Sequence, residues 1–141
     1  ILFINGQYLI GHVGDSRIYK IESNVSQLTT DHTFVAREIA KGTMTLEQAK
    51  TDKRRNLLLQ CIGASKNVTP QIIIGEASKG TYLICSDGFR HEITENEMLD
   101  FLSPDKLSNK KSMQKNVDYL INQIKNRGER DNISAILIKA Y

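Results

Sequence analysis

The start of the chain constrains the fold more than any other stretch. An apolar run at residues 1–4 is followed by Asn5-Gly6 and then by a second apolar run within residues 7–14. Asn-Gly between two apolar runs is the strongest short signal for a β-hairpin, because both residues tolerate the positive φ of a type I′ turn. Residues 17–22 then alternate polar and apolar side chains, as a half-buried strand does. We therefore predict an antiparallel meander, which argues against a doubly wound parallel sheet.

Helices are predicted after this meander. The stretch 31–42 carries apolar side chains near helical spacing, and we expect Asp31 to cap this helix and Gly42 to end it. Capping-box patterns begin at Thr45 and at Thr94, and each predicts a helix directly after it. An amphipathic pattern near the C-terminus predicts a longer helix. These three further helices are expected over residues 46–50, 95–103 and 110–127.

Short apolar segments between and after the helices indicate further strands. They cover residues 56–63, 71–77, 80–86 and 132–141. The order is strands, helices, strands, helices and a final strand, which favours an α+β fold in which helices cover antiparallel sheets. The length of 141 residues fits a single domain.

Composition excludes some classes of function. The net charge of +3 is too small to indicate a nucleic-acid partner, and no secretory signal pattern is present. No apolar run approaches the ~20 residues that a membrane-spanning helix needs. Cys61 and Cys85 each lie within an apolar run, which predicts buried thiols in a reducing cytoplasm rather than a disulfide. The chain opens inside a predicted strand without a methionine, and we expect it to be part of a longer protein.

Three aspartates adjoin predicted strands. Asp15 and Asp87 each follow an apolar segment, and Asp131 precedes one. Carboxylates held at strand ends are suitable ligands for hard divalent cations such as Mg²⁺ and Mn²⁺, and Gly88 would let the backbone approach a metal closely. The alternative is that each aspartate is an ordinary turn residue that bonds its own backbone. Spacing alone does not decide whether the three carboxylates converge.

Six motifs in order and register resemble one family, the metal-dependent protein phosphatases known as PPM or type 2C. The similarity extends over essentially the whole chain and is greatest to the bacterial serine/threonine phosphatases. The motifs are VGDSRIY (13–19), LTTDHTFV (28–35), GTMTLEQA (42–49), RNLLLQCIG (55–63), LICSDGF (83–89) and DNISAIL (131–137).

The resemblance implies a fold, a cofactor and a substrate class. The implied fold is a sandwich of two antiparallel β-sheets flanked by helices. The implied cofactor is a binuclear Mn²⁺ or Mg²⁺ centre whose bridging water attacks phosphorus, so that no catalytic side-chain nucleophile is expected. By this resemblance Asp87 and Asp131 match metal ligands, and Asp15 matches a ligand of a third, weaker metal. The implied substrates are proteins phosphorylated by eukaryotic-like serine/threonine kinases.

The family's N-terminal motifs have no counterpart in this sequence. They include a basic phosphate-binding residue and the aspartate that bridges both metals. We therefore expect residues 1–141 to be the C-terminal portion of a single phosphatase domain and to be inactive alone. The alternative is a pseudophosphatase that serves as a binding or regulatory module. Unpaired sheet edges and an uncovered apolar face would favour self-association of such a fragment.

Two segments depart from the family pattern. The family's Ser-Asp-Gly-Leu-Thr-Asp ends here in Arg90-His91, so the third metal is in doubt, and His91 is otherwise expected to be a surface histidine. Residues 42–56 match the mobile flap beside the active site. The basic run Lys53-Arg54-Arg55 in this flap either forms a solvated face or favours acidic phosphopeptides.

Overall fold

The computed structural model describes residues 1–64 and 66–141 and consists of two antiparallel sheets with helices. The strands are β1 (Leu2–Ile4), β2 (Gln7–His12), β3 (Arg17–Ile21), β4 (Val25–Gln27), β5 (Gln71–Glu76), β6 (Gly80–Cys85) and β7 (Ala135–Ala140). The helices are α1 (Phe34–Ala40), α2 (Leu46–Thr51), α3 (Asp87–Arg90), α4 (Glu95–Leu102) and α5 (Lys110–Asn126), with a short 3₁₀ turn at Pro104–Lys106.

The first sheet has the strand order β1-β2-β5, and the second has the order β4-β3-β6-β7. The predicted hairpin is confirmed: β1 pairs antiparallel with β2, and Asn5 and Gly6 adopt φ of +48° and +74°. The inner faces of the two sheets enclose one apolar cluster, in which Tyr8 and Ile10 meet Ile18 and Tyr82. This arrangement confirms the predicted α+β sandwich.

A second core lies between the outer face of the second sheet and the helices α4 and α5. Ile21 and Leu83 from the sheet pack there against Met98, Leu120 and Ile124 from the helices, and all five side chains are buried. The opposite surface of the molecule is different, because the outer face of the first sheet exposes apolar side chains. These are Leu2, Ile4, Leu9, Ile72 and Ile74, which we call the open face.

Both capping boxes and the long helix are confirmed, but two predictions are wrong. Thr33, not Asp31, caps α1, because the Thr33 hydroxyl accepts the Ala36 N–H at 3.2 Å while the Asp31 carboxylate bonds to Arg17. Residues 56–63 do not form a sheet strand. Their backbone makes a short antiparallel contact with residues 32–34 instead, which places the segment beside the start of α1.

Cys85 lies in the core of the second sheet, and its burial raises the pKa of the thiol to about 12. The thiol therefore stays protonated near neutral pH, which agrees with the expectation that it is not a nucleophile. Across the described residues, no helix combines the length and the apolar character needed to cross a lipid bilayer.

Candidate metal site and the adjoining cavity

Asp87 and Asp131 lie on two loops that are bonded to each other. Asp87 follows β6, Asp131 precedes β7, and these two strands are paired antiparallel. The Ser86 hydroxyl donates to the Asn132 carbonyl and accepts the Ser134 N–H, each at 3.0 Å, and the Ser86 N–H donates to the Ser134 carbonyl. Pairing of the strands is thereby extended into the loops, and the two aspartates are held at the same edge of the sheet.

Gly88 makes this close approach possible. A Cβ atom built at Gly88 would lie 2.6 Å from the Asn132 carbonyl oxygen and 3.4 Å from the Asp131 Cβ. The first distance is too short for any side chain, and the clash would be with backbone that cannot rotate away. One oxygen of each carboxylate accepts the N–H of the following residue, at 2.9 Å for Asp87 and 2.7 Å for Asp131. Asp87 and Gly88 are the first two residues of the short helix α3.

Glu129 organises the Asp131 loop, a role that no motif in the sequence indicates. Its Oε1 accepts the N–H groups of Arg130 and Asp131 at 2.8 and 2.9 Å, and these backbone bonds lower the pKa of its carboxyl. Its Oε2 lies 3.1 Å from Nδ1 of His91. His91 is exposed, as expected for a surface histidine, but its ring contacts Glu129. It thereby links the end of α3 to the Asp131 loop.

Asp15 lies on the loop after β2, where charged groups of both signs meet. Nη2 of Arg90 is 3.7 Å from Oδ2 of Asp15 and 3.4 Å from Oδ2 of Asp31. Arg17 bonds both oxygens of the Asp31 carboxylate through Nε and Nη2, at 2.9 and 2.8 Å. Burial raises the pKa of the Asp15 carboxyl, and the charge of Asp87 raises that pKa further. The positive charge of Arg90 opposes both effects and lowers this pKa.

The loop that carries Asp15 is fastened to the segment before α1. The Gly14 N–H donates to Nδ1 of His32 at 3.3 Å, and the His32 N–H donates to the Gly14 carbonyl at 2.8 Å. The buried ring of His12 packs against the ring of His32, with 5.1 Å between the ring centroids. Both histidine rings therefore form part of the contact between the Asp15 loop and the segment before α1.

The described residues fit part of a metal site. Asp87 and Asp131 offer carboxylate oxygens, which are the ligands that Mg²⁺ and Mn²⁺ prefer. Among residues 1–64 and 66–141, however, no group of three or more histidine, cysteine, aspartate or glutamate side chains is arranged to hold a metal ion. Further ligands would have to come from protein groups outside this part, from water or from a phosphoryl group.

A cavity of about 600 Å³ adjoins this region on the side of the flap. Arg17, Arg90 and Asp31 line it from the sheet side, and Arg55 lines it from the flap. The other two residues of the run Lys53-Arg54-Arg55 differ from Arg55. Arg54 bonds the Asp52 carboxylate at 3.0 and 2.8 Å and lies over the Phe34 ring, 4.1 Å from its centroid, whereas Lys53 is exposed.

Comparison with known proteins agrees with this architecture. No protein-family profile matches the chain. The serine/threonine phosphatase stp of Listeria welshimeri is 31% identical over 140 residues, which are 98% of this chain and 54% of that protein. The crystal structure of the serine/threonine phosphatase Stp1 from Staphylococcus aureus superposes with a TM-score of 0.86 at 28% identity, covering 99% of this chain and 54% of Stp1. Nearly the whole chain is therefore similar to about one half of bacterial serine/threonine phosphatases.

A third relative has been solved with bound metal ions. The catalytic domain of the phosphatase PstP, solved in complex with two manganese ions, has a TM-score of 0.77 and is 25% identical. That match covers 96% of this chain and 54% of the PstP chain. The chain thus spans about half the length of the PPM relatives that it matches.

Proposed function

We propose that residues 1–141 are the C-terminal portion of a PPM-type phosphatase domain that hydrolyses phosphoserine and phosphothreonine in proteins. The packing of Gly88 against Asn132 is the observation that carries this proposal. It brings the loops of Asp87 and Asp131 together at one sheet edge, where the chain is homologous to phosphatases. An ordinary pair of turn aspartates would not need a glycine at this contact.

In this proposal Asp87 and Asp131 supply oxygen ligands to Mn²⁺ or Mg²⁺, and Gly88, Ser86 and Glu129 hold their loops in place. A divalent ion held by these residues would supply an activated water and neutralise the phosphoryl oxygens. PstP, the relative that holds two manganese ions, supports this choice of metal. The proposed substrates are phosphoproteins made by serine/threonine kinases, and the proposed location is the cytoplasm, where the buried thiol of Cys85 would stay reduced.

The flap contributes to substrate selection in this proposal. Arg55 lines the cavity and is positioned to meet an acidic phosphopeptide, and exposed Lys53 adds positive charge nearby. Arg54 has a different role, because its guanidinium is already paired with Asp52 and stacked on Phe34. We expect Arg55→Glu to weaken the preference for acidic phosphopeptides more than Arg54→Glu does.

A chimera tests the function directly. Residues 1–141 replace the matching half of the Listeria welshimeri phosphatase, and hydrolysis of p-nitrophenyl phosphate and of a phosphothreonine peptide is measured with Mn²⁺. We expect metal-dependent turnover by the chimera. Asp87→Asn and Asp131→Asn should each lower kcat at least 100-fold, because each removes a charged metal ligand. The matched control is Asp118→Asn, on the exposed side of α5, which should leave kcat unchanged.

Residues 1–141 alone are the second arm of the same assay. We expect no turnover from them, because two carboxylates do not complete a metal site. Metal-dependent turnover that Asp87→Asn abolishes in the isolated chain would contradict this part of the proposal. A folded chimera without activity would instead favour the pseudophosphatase alternative.

A further inference from the structure

Arg90 is the least expected residue of the region around Asp15. It ends α3, and its side chain turns back into the molecule, so that only 15% of it is exposed. Its Nε is fully buried and has no hydrogen-bond partner within the described part of the chain. A guanidinium is always charged in proteins and is buried at a cost unless negative charge surrounds it. The reason for its position must therefore lie in the groups that it meets.

Those groups are two carboxylates from two different loops. Nη2 of Arg90 lies 3.7 Å from Asp15 and 3.4 Å from Asp31. Asp31 is the more deeply buried of the two, with 7% of its side chain exposed against 21% for Asp15. Arg17 already neutralises Asp31 through a two-point contact. The additional positive charge of Arg90 is therefore available to Asp15.

We propose that the Arg90 guanidinium is a built-in cation that occupies the position of a divalent ion beside Asp15 and excludes a metal from it. One permanently charged side chain then joins α3, the loop after β2 and the segment before α1. His91 supports the same conclusion, because it turns to Glu129 on the Asp131 loop. Asp15 in this chain is accordingly an ion-pair residue and not a metal ligand.

This inference goes beyond the proposed function and does not depend on it. The metal ligands of that proposal are Asp87 and Asp131, whereas Arg90 acts at Asp15. A guanidinium also differs from a divalent ion in its effect on the neighbouring cavity. It cannot dissociate, so the loops stay joined at any metal concentration, and it adds a fixed positive charge beside the cavity that Arg90 lines.

Manganese titration of the 141-residue chain, followed by the EPR signal of free Mn²⁺, tests the proposal. Arg90→Met removes the charge but keeps an unbranched stem. We expect Arg90→Met to bind one more Mn²⁺ than the parent chain, or the same number at least tenfold more tightly. That gain should disappear in the double variant Arg90→Met/Asp15→Asn. Arg90→Lys keeps the charge and should show no gain.

A matched control and a second measurement complete the experiment. Arg37→Met removes another ion-paired arginine, on α1 and away from Asp15, and should leave Mn²⁺ binding unchanged. Thermal unfolding should show a lower Tm for Arg90→Met that added Mn²⁺ restores. Asp15→Asn in the parent chain should not alter Mn²⁺ binding, and this arm remains informative if Arg90→Met does not fold.

Two outcomes would overturn the inference. One is that Asp15→Asn removes Mn²⁺ binding from the parent chain, which would make Asp15 a ligand despite Arg90. The other is that folded Arg90→Met binds Mn²⁺ no better than the parent. Asp131→Asn separates this inference from the proposed function, because it should weaken any binding at the Asp87–Asp131 site and leave the gain in Arg90→Met intact.

Discussion

The two sheets share one inner core but differ on their outer faces. The outer face of the second sheet is buried under α4 and α5, and Ile21 there is fully buried. The open face of the first sheet leaves Ile74 67% exposed. Both faces carry apolar side chains, so hydrophobic pattern alone does not separate them. Asp87 and Asp131 adjoin β6 and β7 of the second sheet, so the candidate metal site lies at the sheet that is packed on both faces.

The largest expected loss of stability is at one of two isoleucines that lie on the outer faces of the two sheets. Ile21→Ala should lower the free energy of unfolding by about 3 kcal/mol, because it leaves a cavity between the second sheet and its helices. Ile74→Ala on the open face should change it by about 0.5 kcal/mol or less. Urea unfolding followed by circular dichroism measures both. Equal losses would mean that the open face is covered in solution.

Two glycines test how closely the loops of Asp87 and Asp131 are packed. Gly88→Ala should lower the free energy of unfolding by about 2 kcal/mol, because the added methyl group would collide with the Asn132 backbone. Gly11→Ala is the matched control, since a Cβ atom there would lie 3.9 Å from Ile72 on the open face. Its effect should stay within about 0.5 kcal/mol. The same urea titration measures both variants. A Gly88→Ala variant with an unchanged free energy of unfolding would show that the loops can separate without loss of stability.

The open face also predicts self-association. We propose that the 141-residue chain associates through it, since an apolar sheet face of this kind rarely stays in contact with water. Light scattering after gel filtration should give a mass that rises with concentration above 15.9 kDa. Ile72→Lys/Ile74→Lys should restore the monomer mass, whereas Leu46→Lys, at an exposed position on α2, should not. A parent chain that stays monomeric at high concentration would contradict this expectation.

The smallest effect concerns pH and the helices that cover the second sheet. Arg127 at the end of α5 bonds Glu97 of α4, and this contact, more than the capping bond to Thr94, lowers the pKa of Glu97 to about 2. A carboxyl whose pKa falls on folding stabilises the folded state above its ordinary pKa near 4.5, and this contribution is lost as the pH drops toward 2.

Glu97→Gln keeps the capping box but removes the charge. Above pH 5 the free energy of unfolding of the parent chain should exceed that of this variant by about 0.5–1 kcal/mol. The difference is small because water screens a contact at the surface. The difference should shrink steadily as the pH falls from about 4.5 to 2. Chemical unfolding at several pH values measures it, with Glu95→Gln in the same helical turn as control. A difference that does not change with pH would assign the effect to packing instead.

The parts of the fold that were predicted correctly depend on local chemistry. Asn5-Gly6 adopts positive φ wherever it joins two strands, and Thr45 and Thr94 bond the third N–H of their own helices. Residues 56–63 were wrongly predicted as a strand, since a run of leucines fits a strand and a segment packed beside a helix equally well. Their backbone partners, residues 32–34, lie more than twenty positions away in the sequence.

The candidate site was predictable only in part. The resemblance of the motifs to those of a known family named Asp87, Asp131 and Asp15. It could not show that Asp31 would bond Arg17 instead of capping α1, or that Glu129 would hold the Asp131 loop. A charged residue in a sequence carries no record of its partner, because an ion pair forms between groups that only tertiary packing brings together.

By itself, the sequence determined the first hairpin and the two capping boxes, because these depend on dihedral preferences and hydrogen bonds within a few residues. The sequence also places at position 88 the glycine that the close contact between the loops of β6 and β7 requires. The tertiary structure alone decided that Arg90 faces Asp15 and Asp31 and that one sheet is covered while the other is open. Both outcomes depend on distances between segments far apart in the chain, which no local preference specifies.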